Sequence, residues 1–359
     1  MKVLHVTEVA KAGVGSYLND IIPVQRHKYG DQNIHLLAPQ EHIKHLTKIE
    51  PSSIHFFTRR SRKSGILKLL IEYIRVMRKE RPDIVHVHAT FSGAIVRMLR
   101  PFFPRTPIIY CPHGWAMDME QSSLSKVIIR MVEWILSFFC EKIVCISKYE
   151  RQLAIDAGIS QTKCITIYNG ITPNPPAFSP ITWEDDTRLK VLFIGRFDRQ
   201  KGVDILLNAC SPLENKISLK LIGETVSGDE NIDLNTFSFA EHLGWLEHSE
   251  IAAWLDQCDV LIVPSRWEGF GLVAIEAMRM GRPVIASKVG GLSEIIEDGV
   301  SGLYIKPNDI ISLRNAIKSL DKETAAIMGG SARKRFLALF QSKPMHDQIM
   351  SLYQDITNR

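Results

Sequence analysis

The chain repeats one pattern: a short run of β-branched and apolar residues, then a longer stretch whose apolar residues recur at helical spacing. KVLHVTEV, NIHLLAP, DIVHVHA, PIIYCPHG, KIVCIS and CITIYNG are the short runs of the first half, separated by helical patterns such as GVGSYLNDIIPVQRHKYG, EHIKHLTKI and SKVIIRMVEWILSFFCE. Continuous apolar runs of this length read as strands buried on both faces, and the stretches between them as the crossovers that parallel pairing requires. The alternation predicts an α/β, doubly wound sheet. At residues 171–186 it is interrupted by ITPNPPAFSPITWEDD, which reads as an extended linker. It then restarts with KVLFIG, SLKLIG, DVLIVPS, PVIASKV and GLYIKP, so a second doubly wound sheet is expected.

A length of 359 residues suits two cores better than one. The expected domains are 1–175 and 176–344, and the tail 345–359 is helical in pattern with no third domain to join. Ligands of such sheets bind where strand order reverses, so two sheets facing one another would place both switch points on the walls of a cleft.

Hydrophobic content of 45% and charged content of 23% are ordinary for a globular protein. No uncharged apolar run reaches the length of a membrane span, and the N-terminus MKVLHVTEV reads as a strand, so a cytoplasmic location is expected. The six cysteines show no paired or zinc-type spacing and read as buried thiols. Charge is lopsided: residues 1–180 hold 24 Lys and Arg against 14 Asp and Glu, while the remainder holds 20 against 25. The basic half should meet an anionic partner. Residues 56–81, with Phe56 and Phe57 ahead of a basic helix, and MLRPFFPR at 98–105 read either as solvated faces or as a surface held on an anionic membrane leaflet. Nucleic acid is disfavoured, because stacking platforms and the known binding motifs are missing.

Chemistry concentrates in two stretches of the second half. In PSRWEGFGLVAIEAMRMGRPVIAS, a strand leads through a glycine-bearing loop into a helix beginning near Leu272, a geometry suited to phosphate. Glu268 stands in the loop. Glu276 lies one turn into the helix among Ala274, Ile275, Ala277 and Met278, where an unpaired carboxylate is costly and a bound hydroxyl-bearing group would satisfy it. In GRFDRQKGVD, residues 195–204, Arg196 and Lys201 can converge across a turn on one anion such as a diphosphate. No Asp-x-Asp cluster ends a strand, so this pair could neutralise a leaving diphosphate without a metal. The acidic GDENID, 228–233, reads as a solvated loop. Arg266 and Trp267 could line an acceptor site or simply pack the loop. In the first half, CPHG places His113 and Gly114 just past a strand, and EVAKAGVGSYL brings Gly13 and Gly15 to a helix mouth. A dinucleotide fingerprint would need a glycine where Leu18 stands, so a nicotinamide cofactor is disfavoured.

Together, GVG at 13–15, HG at 113–114, NG at 169–170, GRFDRQKG at 195–202, EGFGLVAIEAM at 268–278 and GGLSEIIEDGVSGLYI at 290–305 resemble the retaining glycosyltransferases of family 4, with GT-B architecture. The resemblance implies an acceptor-binding first domain, onto which the last helix crosses back, and a donor-binding second domain. It also implies that Arg196 and Lys201 grip the donor diphosphate and that Glu276 accepts from the ribose hydroxyls. Glu268, with the backbone of Phe270, Gly271 and Leu272, would contact the transferred sugar. His113 would touch that sugar beside the reacting carbon, and Gly15 would donate to the phosphate. Ala12 departs from the family, whose loop often has a glycine there. The implied activity is transfer of a hexose from a nucleotide-sugar co-substrate, UDP-linked, to a lipid-linked glycan in bacterial-type surface polysaccharide or O-antigen assembly, on the inner face of the cytoplasmic membrane, with no cofactor and no metal. The alternatives are a non-catalytic nucleotide-sugar sensor or scaffold, and a glycan phosphorylase, for which no Schiff-base lysine is identifiable.

Overall fold

The computed structural model describes all residues except 60–61, 185–186, 226–236 and 359, and of 62–64 it describes the backbone alone. The acidic GDENID segment lies outside the described residues. The chain forms two compact units, Met1–Asn169 with Ser342–Arg359, and Gly170–Gln341.

In the first unit, strands β1 (Val3–Thr7), β2 (Ile34–Pro39), β3 (Ile54–Phe57), β4 (Ile84–His88), β5 (Ile108–Cys111), β6 (Lys142–Cys145) and β7 (Cys164–Thr166) pair in the order β3-β2-β1-β4-β5-β6-β7. Helices α1 (Ala12–Tyr29), α2 (Arg62–Glu80), α3 (Thr90–Met98), α4 (Ser123–Ser137) and α5 (Lys148–Asp156) make the crossovers. In the second unit, β8 (Leu189–Ile194), β9 (Ile217–Ile222), β10 (Ala240–His242), β11 (Val260–Val263), β12 (Val284–Ser287) and β13 (Gly302–Ile305) pair in the order β10-β9-β8-β11-β12-β13. Its helices are α6 (Val203–Cys210), α7 (His248–Gln257), α8 (Leu272–Arg279), α9 (Leu292–Ile295), α10 (Ile310–Lys318) and α11 (Lys322–Leu339). A last helix, α12 (Ser342–Thr357), belongs to the first unit.

Every ladder is parallel. Helices therefore cover both faces, and central strands such as β1 and β4 are buried at every residue. Strand order reverses between β1 and β4 in one sheet and between β8 and β11 in the other. All six cysteines are buried free thiols.

Several elements differ from the sequence reading. The edge strands β3 and β10 escaped it, and EHIKHLTKI makes only a 3-10 turn over Gln40–His45. Because β3 turns Phe57 inward, that ring joins the core and leaves the proposed basic-aromatic surface. Arg59 donates from its guanidinium to the Glu8 carbonyl at 2.7 Å. Of residues 171–186, the described 171–184 are irregular but not a free spacer. Trp183 is buried, donates from Nε1 to Ser218 Oγ at 3.0 Å and meets Trp254 edge-on. Helix α12 is anchored by Tyr353, whose hydroxyl lies 2.6 Å from His86 Nδ1, and by His346, 2.7 Å from Asp20 Oδ2.

Helix α4 has inverted amphipathicity. It buries Glu133, Leu136 and Ser137 and leaves most of its large apolar side chains exposed. Glu133 accepts from Arg97 Nη2 at 2.8 Å, and the Arg97 guanidinium, fully buried, lies 3.8 Å from the centre of the Tyr110 ring. Removing one partner of a buried pair strands the other charge. Arg97→Met should therefore destabilise the protein by about 3–5 kcal/mol. Arg97→Met combined with Glu133→Leu should recover most of that loss, as read from the midpoint of chemical denaturation.

Candidate active site

In the second unit three loops leave the C-terminal ends of neighbouring parallel strands, so topology alone gathers them. The loop after β8 carries Arg196 to Lys201, the loop after β11 carries Arg266 to Gly271, and the loop after β12 carries Gly290 and Gly291. Their backbones touch at glycines. A Cβ on Gly202 would sit 2.3 Å from the Pro264 carbonyl oxygen, and one on Gly290, at φ +48°, would sit 1.9 Å from that of Glu268. No other residue fits either place.

Side chains then lock the loops together. Lys201 Nζ lies 2.5 Å from Glu268 Oε2, so the cation of one motif meets the carboxylate of the other. Asp198, which the sequence reading passed over, is buried; it accepts from the Lys201 backbone N–H at 2.9 Å and pairs with Arg196 at 2.8 Å. Gln200 accepts from Arg196 at 2.9 Å and donates to the Trp267 carbonyl at 3.1 Å. Arg266 is a clamp: both its terminal nitrogens donate to Asp204, at 2.9 and 2.6 Å, and it also reaches the Arg199 carbonyl and Asn308. The Phe270 side chain is buried edge-on to Phe340, which leaves its backbone to face the loop. Gly271, at φ +100°, caps α8, whose first residue is Leu272.

Glu276 stands apart from this network, on α8. It is 8% exposed, and among the described residues its carboxylate makes no hydrogen bond; its one ion-pair partner is His248, Nδ1 3.9 Å from Oε1. Burial raises its pKa above the ordinary carboxylate range, opposed by His248 and Arg279.

In the first unit, His113 follows β5 at φ +53° and Gly114 follows at φ +110°. Gly15 is buried in the first turn of α1, where an added Cβ would lie 3.0 Å from the Ala10 carbonyl oxygen. Ala12 takes φ +51°, a conformation that glycine adopts without strain and alanine does not. Behind His113 runs a chain of buried imidazoles; the strand histidines His86 and His88, which the sequence leaves as core or cleft-lining, are both buried. Gln25 Oε1 is 2.7 Å from His5 Nε2, His5 Nδ1 is 3.0 Å from His88 Nε2, and His88 Nδ1 is 3.0 Å from His113 Nε2. The amide oxygen only accepts, so His5 carries its proton on Nε2 and accepts on Nδ1 from His88, which in turn accepts from His113. The chain thus assigns His113 the Nε2–H tautomer and leaves a lone pair on Nδ1. Burial keeps these rings neutral, lowering His5 to about 4 and His113 to about 3.

Among the described residues three clusters bring metal-ligand types together: His5, His86 and His88; His88, Cys111 and His113; and His35, His55 and Glu80. The first two share the imidazole chain. In the third, Glu80 is already neutralised by Lys2 at 3.7 Å and Lys79 at 3.2 Å.

Two doubly wound α/β units, the second with a cation-rich loop network at its strand-order reversal, define the class of nucleotide-dependent transferases of GT-B architecture. The Glycosyltransferase Family 4 profile matches residues 29–174 and the Glycosyl transferases group 1 profile matches residues 188–322. An uncharacterized 41.2 kDa protein in the cps region of Klebsiella pneumoniae is 31% identical over 86% of this chain and 87% of its own. The chain belongs to glycosyltransferase family 4. The UDP-Gal:α-D-GlcNAc-diphosphoundecaprenol α-1,3-galactosyltransferase of Escherichia coli is 25% identical over 81% of this chain and 80% of its own. Among solved structures, Anabaena HepE in complex with UDP-glucose superposes with a TM-score of 0.82 over 99% of this chain and all of its own, at 22% identity, a likeness of fold.

Glu276 yields a test. A carboxylate whose folded pKa is raised is most stable protonated, and the stability is lost as pH rises through that pKa. Glu276→Gln should therefore unfold at a higher temperature than the parent at neutral pH without ligand. The difference should shrink as pH falls through the raised pKa toward the ordinary carboxylate range, as read from thermal unfolding of both proteins across pH.

Proposed function

We propose that the protein transfers a hexose from a UDP-linked sugar to a hydroxyl of a lipid-linked glycan, with retention at the anomeric carbon, in bacterial-type surface polysaccharide or O-antigen assembly. The observation that carries the donor reading is the contact of Lys201 with Glu268. The Glu268 carboxylate occupies the anion position beside Lys201, and a donor diphosphate would displace it. Lys201 and Arg196 then hold the diphosphate as the glycosidic C–O bond breaks and its electrons pass to the leaving phosphate oxygen. Glu268, released, meets the sugar whose charge rises in the transition state. Two cations from one short loop can do this without a metal. Glu276 takes the ribose hydroxyls, Gly15 donates to the phosphate, and the backbone of Phe270, Gly271 and Leu272 lines the sugar. His113, with its Nδ1 lone pair, accepts from a sugar hydroxyl. The capsule-region setting of the Klebsiella relative and the lipid-diphosphate acceptor named for the E. coli relative support the acceptor class. No described helix is long and apolar enough to cross a membrane.

The ion pair makes the test asymmetric. Lys201→Ala should weaken UDP binding by roughly 1.5–3 kcal/mol, while the exposed Lys216→Ala changes nothing. Glu268→Gln should bind UDP at least as tightly as the parent, because Lys201 is freed, yet lose kcat, because a transition-state contact is gone. Turnover should survive EDTA. Loss of UDP affinity in Glu268→Gln, or an activity abolished by chelator and restored by Mg²⁺, would overturn the assignment.

A further inference from the structure

The exposed face of α4 is an apolar feature that the proposed chemistry leaves unused. Leu124, Val127, Ile128, Met131, Trp134 and Ile135 are each between 41% and 71% exposed, and Phe138, edge-on to Trp134, extends the face past the helix end. Single exposed apolar residues need no explanation, but a contiguous stripe of this kind marks an interaction surface. The helix can afford it because its other side is held by the Arg97–Glu133 pair and by Leu136.

Charge selects the occupant. The acid of this helix, Glu133, is inside, and its exposed charge is Arg130, with Lys126 half-buried beside it. At its C-terminal end Lys163 donates to the Ser137 and Cys140 carbonyls and lies 6.0 Å from the centre of the Phe138 ring. A cationic rim around an apolar centre complements an anionic lipid leaflet, where a helix lies in the interface with its apolar face about 5–10 Å deep. A second copy fits less well: a two-fold contact is self-complementary, so Arg130 would meet like charge with no exposed acid on α4 to answer it.

We propose that α4 is a membrane-docking helix that inserts its outer face into an anionic leaflet. The helix follows directly on the segment that carries His113, and the turn Ala116–Asp118 packs against it. Docking would therefore hold that segment at the headgroups, where a lipid-linked glycan presents its hydroxyls. This inference rests on the lipid-linked acceptor reading for its purpose but not for its physics. It also moves the membrane surface from residues 56–81, where Phe57 is core, to α4.

The test is co-sedimentation of the full chain with phosphatidylcholine vesicles containing about one-third phosphatidylglycerol, against phosphatidylcholine alone. The parent should bind the anionic vesicles, with salt weakening but not abolishing binding, since screening acts on the charges and not on the apolar contact. Ile128→Asp with Met131→Asp should lower the partition at least tenfold, while Arg130→Ser should lower it less and reduce the salt dependence. UDP affinity should be unchanged in both variants, which shows that they fold. Equal vesicle binding by the parent and the double aspartate variant overturns the proposal. So does failure of the parent to bind at low salt. A dimer seen by sedimentation velocity without vesicles, and abolished by the same double variant, would assign the face to a second copy instead. Vesicle binding intact with no transfer to any lipid-linked acceptor would leave the docking helix standing and remove the acceptor reading.

Discussion

Parallel pairing is the constraint from which the rest follows. A parallel strand must return through a crossover, so helices cover both faces of each sheet and every strand ends at the same edge. That one rule buries β1 and β4 completely and brings the loops after β8, β11 and β12 together without any contact designed for the purpose. The loops that hold the motifs are neighbours because their strands are.

Proximity alone does not make a site, and the second unit shows what else is needed. The backbones approach closely enough to exclude every residue but glycine at positions 202 and 290. Arg266 is consumed in holding Asp204 and the Arg199 carbonyl, and Asp198 in shaping the turn that presents Lys201. Charged residues around the site thus divide into a frame and a working pair. The frame is saturated with protein partners, whereas among the described residues the side chains of Lys201 and Glu268 meet only one another. Glu276 is the opposite case: its carboxylate is kept buried against its own desolvation, with His248 at 3.9 Å as its ion-pair partner among the described residues.

The first unit carries its own polar interior. His5, His88 and His113 form a neutral chain whose proton positions are set from Gln25 outward, and α12 closes over the neighbouring His86 through Tyr353. Strands of a sheet buried on both faces have no water to satisfy an imidazole, so the rings find partners on a neighbouring strand, as His5 does with His88, or on a covering helix, as His5 does with Gln25 and His86 with Tyr353. The same unit supports α4, where a buried ion pair lets an apolar face point outward.

By itself the sequence determined the class of fold, the two sheets, the start of α8 at Leu272 and the motifs that stand at strand ends, because period and glycine spacing are local properties that a strand or helix expresses wherever it is placed. It also carried the burial of Glu276, through its run of apolar neighbours. It could not show the short edge strands β3 and β10, whose period is too brief to register, nor the docking of Trp183 within a stretch that reads as a linker. Only the tertiary structure decided that Arg266 is a clamp, that Asp198 shapes the Lys201 turn, that Phe57 is core and that the apolar side of α4 faces out. Apart from Asp198, whose partners lie within three residues of it, each of these depends on partners dozens of residues away, and a helix with one polar and one apolar side does not record which of them the rest of the chain will cover.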